Sequence, residues 1–270
     1  MGQSAAAPMI AIRDLVVSYG KRRVLNGITL DIARGETMVL LGGSGSGKST
    51  LLRHIIGLEQ PESGSVSVNG INLGCASKKD LRILRRSIGV AFQNAALFNS
   101  MSVEDNLALP LRELTSLPES TIKLMTWIKL WVVGLSDFGA CSPRELSGGM
   151  KKRAAIARAL SLDPEIVVLD EPSAGLDPIV AAGVDELILA LKRAFSVTIV
   201  VVTHEMESAN RIADRMAMLY QGSLIAVGTT DELKNSGQPR ICQFFDRIPD
   251  EIVQDGAVDK FMGRYLGGQE

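Results

Sequence analysis

Short runs of apolar residues alternate along this chain with stretches in which apolar positions fall three and four apart, the pattern of a mixed α/β protein. Met38–Leu41, Glu165–Leu169 and Val197–Val202 are almost uninterrupted and predict buried strands. Between Met9 and about Ile32 apolar and polar positions alternate around Gly20 and Gly27, which predicts short strands with solvated faces. Ser65–Val68 before Asn69-Gly70 reads as a strand meeting a turn, Ile88–Phe92 as another strand, and Met216–Tyr220, Gln221-Gly222 and Ser223–Val227 as a hairpin.

Helical spacing predicts a helix over Ser49–Gly57 with Leu51, Leu52, Ile55 and Ile56 inward and His54 on the surface. Lys78–Arg86 reads as a helix with Leu81 and Leu84 inward and a solvated charged face. Ser102 followed by Asp105 is a capping signal for a helix that Pro110 would kink. Glu119–Val133 predicts a helix with Trp127 and Trp131 on one face, core packing being the expected role of the pair and an exposed contact patch the alternative. Met150–Leu160 places Ala155, Ile156, Ala159 and Leu160 together, and Asp231-Glu232-Leu233 opens a short helix. Beyond Pro239 the pattern is mixed, with Phe244, Phe245 and Phe261 as anchors and Pro249 and several glycines as breaks.

Composition narrows the class. The 270 residues are 46% hydrophobic, enough for a large core, and a net charge of −1 offers no electrostatic reason to expect nucleic acid. The apolar strands are too short to span a bilayer, and no basic-then-apolar leader opens the chain. Met1-Gly2 invites a myristoylation reading, but Ala6 stands where Ser or Thr is wanted. Three separated cysteines, Cys75, Cys141 and Cys242, suit a reducing compartment and no metal cluster. A soluble cytoplasmic protein is expected.

The chemistry begins after Leu41. Gly42-Gly43-Ser44-Gly45-Ser46-Gly47-Lys48-Ser49-Thr50 fits the pattern in which glycines let successive backbone N–H groups converge on phosphate oxygens. The helix that follows adds its positive dipole end. Lys48 would reach the β- and γ-phosphates of a nucleoside triphosphate, and the Ser49 hydroxyl would ligate Mg²⁺. Ser147-Gly148-Gly149 forms a second glycine-rich helix start with anion-binding potential, Ser147 being a natural cap.

Three further strands end in reactive residues: Gln93, Asp170-Glu171 and His204. A parallel sheet binds its ligand outside the carboxyl ends of its strands, so all of them would converge on the phosphate loop. There Asp170 can hold the Mg²⁺ shell and Glu171 can accept a proton from attacking water. His204 can contact the γ-phosphate, and Gln93 can touch the metal or the water. Tyr19, taken alone, reads as a core or edge tyrosine.

With these motifs in place the chain resembles the ATP-binding-cassette (ABC) ATPases over residues 9–235. Gly42–Ser49 matches Walker A, Ile166–Asp170 with Glu171 Walker B, Leu146-Ser147-Gly148-Gly149-Met150 the signature, and Ser173–Pro178, with Asp177, the D-loop. His204 matches the switch histidine and Gln93 the Q-loop. The resemblance implies that Tyr19 stacks on adenine, and that Ser147 and Gly149 close on ATP held by a second copy of the chain. It also implies an α/β nucleotide-binding fold: a RecA-like P-loop core with an antiparallel β portion over 9–95 and 161–235, an inserted helical subdomain over 96–160, and a C-terminal extension over 236–270. Met150, where most members carry Gln, looks like the Mla/Mce-type lipid-transport ATPases. So do Ala95–Phe98, Val103–Asn106, Pro110–Glu113 and Pro239–Phe244. That narrower resemblance implies ATP hydrolysis at the inner face of a bacterial inner membrane. Its implied partners are a membrane permease, an Mce-domain lipid-binding protein and a small regulatory subunit. The Trp127 and Trp131 pair departs from it, standing where more polar residues are expected. An ATPase serving an amino-acid or metal importer is the alternative, with a non-transport ABC protein behind it.

Overall fold

The computed structural model describes residues 7–248. The expectations placed on Met1-Gly2, Ala6, Pro249 and Phe261 lie outside them. Residues up to Thr230 form one unit and those from Asp231 a second.

The first unit is built on a six-stranded sheet in the order β10-β9-β3-β8-β7-β6. It comprises β3 (Thr37–Leu41), β6 (Ile88–Ala91), β7 (Ile166–Asp170), β8 (Thr198–Val202), β9 (Arg215–Tyr220) and β10 (Ser223–Gly228). Every residue of β3 and β8 is buried, which is why these strands read as continuous apolar runs rather than alternations. β6, β7, β8, β3 and β9 are parallel, and β10 closes the edge as an antiparallel hairpin partner. The register aligns Leu40 with Val202, Asp170 with Val202 and Ala91 with Leu169. The carboxyl ends of four neighbouring strands therefore lie level.

A second, antiparallel sheet has the order β2-β1-β4-β5, from β1 (Ile10–Tyr19), β2 (Arg22–Ile32), β4 (Ser63–Val68) and β5 (Ile71–Asn72). Its inward residues, among them Ile10, Ile12, Leu25 and Ile28, share one core with α1 (Lys48–Ile55) and with Met38, Leu40, Val168 and Val200 of the large sheet. α1 carries the expected inward leucines and isoleucines. His54, expected at the surface, is 1% exposed. Its Nδ1 donates to Thr50 O at 2.8 Å and its Nε2 lies 3.3 Å from Gln60 O, so backbone carbonyls supply what burial takes from water. α2 (Lys78–Arg86) follows with a full capping box between Ser77 and Asp80.

Between β6 and β7 the chain makes α3 (Val103–Leu114), α4 (Glu119–Val132) and α5 (Gly148–Ala159). Ser102 caps α3, whose helix runs on through Pro110. Ala108 and Leu111 of α3 pack on Ile122 of α4 in a small separate cluster. The face of α4 away from that cluster carries Leu124, Trp127, Ile128 and Trp131, each 40% to 65% exposed. The expectation that the tryptophans pack in the core is thus corrected: Ile122 and Leu130 take the inward positions and leave the indoles in solvent. α6 (Pro178–Phe195) and α7 (Met206–Ile212) complete the unit. α8 (Thr230–Lys234) starts on the last residue of the first unit, and in the second it gives way to α9 (Pro239–Phe245), with the Lys234 ammonium 5.8 Å from the Phe245 ring centre. Among the described residues, no helix is long and apolar enough to cross a membrane.

Candidate active site

The loop after β3 takes its shape from its glycines. Gly42 has φ +149°, and a Cβ there would stand 2.3 Å from Leu219 O, so no other residue fits. Gly43, Ser44 and Gly45 are exposed, while Ser46 is buried with its hydroxyl unpartnered. A buried polar atom without a partner is costly, and in a loop of this shape it suits a phosphate oxygen. Lys48 folds back over the loop, its Nζ donating to Gly42 O at 2.6 Å and Gly43 O at 3.0 Å. Burial lowers its pKa while the Glu171 and Asp170 carboxylates raise it. Ser49 is exposed and Thr50 buried on the first turn of α1.

Level with this loop, β7 ends in Asp170 and turns into Glu171. Asp170 is half-buried, and burial, then the neighbouring Glu171 charge, raise its pKa against the pull of Lys152, Lys48 and Arg53. Glu171 is buried and sits at φ +49°, a conformation disfavoured for any residue with a side chain. Its N–H donates to Val202 O at 2.8 Å, which ties it to the end of β8. Its carboxylate accepts from His204 Nδ1 at 2.8 Å and from Thr203 Oγ1 at 3.3 Å. The exposed ring of His204 and the buried carboxylate thus form one unit. Gln93, two residues past β6, is exposed, and its carbonyl accepts from Lys152 Nζ at 2.7 Å.

Ser147 caps α5 through a bond from Met150 N at 3.3 Å and remains exposed beside Gly148. Gly149 is buried, and a Cβ on it would stand 2.4 Å from Val180 Cγ1. Asp177 is held as the cap of α6, accepting from Ile179 N and Val180 N at 3.1 Å. Tyr19 ends β1 with its ring about half exposed and its hydroxyl donating to Glu59, which pairs with Arg53 of α1. The structure thus gathers Lys48, Asp170 and His204 around the Glu171 carboxylate.

Four further residues hold the backbone or side chains near the site or in the loop before α3, and their types alone do not announce it. Thr203 holds the glutamate. Asn106, fully buried, makes three bonds to the loop before α3, at Phe98 N, Phe98 O and Ser102 O. Arg158 donates to Ala96 O and Ala95 O, and Lys152 donates to Glu171 O at 2.6 Å. Burial lowers the pKa of both cations, in Lys152 against the carboxylates of Glu171, Asp170 and Glu205. Their partners are backbone carbonyls, which no residue type announces. The available signal was two long cations, Lys152 and Arg158, on a helix rich in small residues.

Residues 25–174 match the family described as ABC transporter. The chain is 42% identical over 284 residues to the probable ribonucleotide transport ATP-binding protein mkl of Mycobacterium leprae, spanning 100% of this chain and 82% of that one. It is 38% identical over 251 residues to the intermembrane phospholipid transport system ATP-binding protein MlaF of Escherichia coli, spanning 93% of each. Among solved structures, the ATP-binding cassette MJ0796, dimeric and bound to ADP and Pi, superposes with TM-score 0.75 at 29% identity over 82% of this chain and 98% of its own. CbiO1 of Clostridium perfringens, part of the transporter complex cbiONQ, does so with TM-score 0.79 at 30% identity over 89% and 99%. With a phosphate-shaped loop and a held carboxylate at level strand ends, the chain belongs to the ABC transporter family as an ATP-hydrolysing subunit.

Proposed function

We propose that two copies of this chain hydrolyse ATP between them and drive a separate membrane permease that moves phospholipid between bacterial membranes. The carrying observation is the Glu171 carboxylate, fixed by His204 and Thr203 at the same sheet edge as Lys48 and Asp170. ATP enters the loop 42–47, and Lys48 exchanges two carbonyl acceptors for β- and γ-phosphate oxygens, a stronger, charge-assisted pairing. Tyr19 offers its exposed ring to adenine. Ser49 and Asp170, with Gln93 beside them, would hold a Mg²⁺ ion through their oxygens, and such an ion would supply charge neutralisation at the phosphates. Glu171 orients and deprotonates the attacking water, and His204 contacts the γ-phosphate. Ser147, Gly148 and Gly149 close on the nucleotide of the second copy, with Asp177 at the same junction.

The helical insertion 96–160 faces the permease and presents the signature, residues 236–270 form an extension, and the chain sits on the cytoplasmic face of the inner membrane through the permease. An Mce-domain lipid-binding protein and a small regulatory subunit complete the assembly. The relatedness to MlaF supports phospholipid as cargo, and the name of mkl supplies the competing one, a ribonucleotide. Reconstitution with the permease in proteoliposomes separates them: transfer of labelled phospholipid should depend on ATP and stop in Lys48→Ala. That variant loses a contact worth about 1.5–3 kcal/mol. ATP-dependent uptake of a ribonucleotide without lipid transfer would reassign the cargo, and full turnover by Lys48→Ala would remove the site assignment.

A further inference from the structure

α5 does more than present Ser147 and its glycines. Two of its cations grip the segment after β6. Lys152 Nζ donates to Gln93 O at 2.7 Å, while the Arg158 guanidinium forks over Ala96 O at 2.7 Å and Ala95 O at 3.1 Å. Lys152 makes a second bond, to Glu171 O at 2.6 Å. One ammonium thus joins the helix, the segment after β6 and the backbone of the carboxylate proposed as the base.

The backbone that these two cations hold is strained, at Glu171 under Lys152 and at Ala95 and Ala96 under Arg158. Ala95 and Ala96 have φ +58° and +51°, and Glu171 has φ +49°. Non-glycine residues keep such conformations only where their surroundings over-determine them. Glu171 is tied to β8 through its N–H, and its carbonyl accepts both from α5 and, at 3.3 Å, from Ala174 N, so a small displacement of α5 changes one of its three backbone restraints. A lysine suits this place: it is a compact charge with three donors free to point at separate carbonyls.

We propose that Lys152 is a positioning residue for hydrolysis: by bonding Glu171 O and Gln93 O it sets the base against α5, so that seating Ser147 on the partner subunit's nucleotide adjusts Glu171 in the subunit's own site. The proposal rests on the composite-site reading above. It makes each subunit's signature helix a link between the two sites of the dimer. Lys152→Met keeps the aliphatic stem and removes both donors. Lys152→Arg restores donors of comparable reach.

In the permease complex, Lys152→Met should lower kcat about tenfold, leave the KM for ATP within about twofold, and abolish cooperativity in ATP. Lys152→Arg should recover kcat to within about threefold of wild type. In a Glu171→Gln background, Lys152→Met should change the single-turnover rate less than about twofold, because residues acting as a unit are not additive. A tenfold penalty retained in that background, a loss of affinity as large as the loss of rate, or no rescue by Arg each overturns the proposal. Should Lys152→Met not fold, Lys152→Gln enters the same comparisons. Near-normal turnover by Glu171→Gln itself would instead sink the site reading. A dead Glu171→Gln beside an unaffected Lys152→Met sinks only the role of Lys152.

Discussion

Replacing Glu171 by Gln isolates one property of the site. The amide keeps the volume of a side chain that is 11% exposed, and its oxygen can still accept from His204 Nδ1, now 2.8 Å from the carboxylate. Thr203 Oγ1, at 3.3 Å, can turn to accept from the new N–H₂. Folding should therefore be little changed. Only the base is gone, which costs about 10²–10⁴ in rate, or about 3–5 kcal/mol of barrier. Binding should survive for an electrostatic reason. The Glu171 charge helps to raise the pKa of Asp170, so removing it makes that aspartate ionise more readily. Titration with a fluorescent ATP analogue, phosphate release, and dimer content by size-exclusion chromatography with and without Mg·ATP test both halves. The expected result is near-normal affinity, slow turnover and a closed dimer that accumulates. Turnover near the wild-type rate removes Glu171 as the base. Loss of binding moves it to a metal-holding role, the phenotype expected of Asp170→Asn.

Three other outcomes follow from burial. His54→Ala removes a buried imidazole bonded to Thr50 O and should destabilise the first unit by about 1–3 kcal/mol, read as a lower Tm. Asp185 is buried beside Ser208, and burial raises its pKa, so its contribution is most favourable below the pKa of a free aspartate and is lost as pH rises through the folded value. Asp185→Asn should accordingly raise Tm at neutral pH, with the gain shrinking as pH falls into the carboxylate range; a gap independent of pH would contradict this. Trp127→Gln with Trp131→Gln, both on the exposed face of α4, should change stability within about ±0.5 kcal/mol per site in a denaturant melt.

The elements that sequence reasoning placed well are those whose pattern has one physical cause. α2 spans the predicted Lys78–Arg86 because Leu81 and Leu84 fall at helical spacing and Ser77 and Asp80 cap the start. The strands ending at Leu41, Asp170 and Val202 are buried on both faces, so their runs are unbroken. α6 drew no prediction, since Ile179–Leu191 is apolar enough to blur its period. His54 was misjudged because a polar side chain between apolar neighbours reads as solvated unless its carbonyl partners are known. Trp127 and Trp131 failed for the opposite reason, as bulk alone does not say which face of a helix its neighbours cover. Around the site, the side chains whose chemistry defines a motif were legible. Lys152, Arg158 and Asn106 act on backbone atoms, and only the folded chain displays those.

The chain contains two tryptophans, and both stand on the solvent side of α4. The two sheets and the phosphate loop therefore contribute no indole emission, and the intrinsic fluorescence of the protein is an unlabelled optical readout of one helix face. Whatever settles on α4 will shift that emission to shorter wavelength and shield it from soluble quenchers. Titrations against the permease, against lipid vesicles and against nucleotide can then be followed on the unmodified chain, each reporting whether this face is covered.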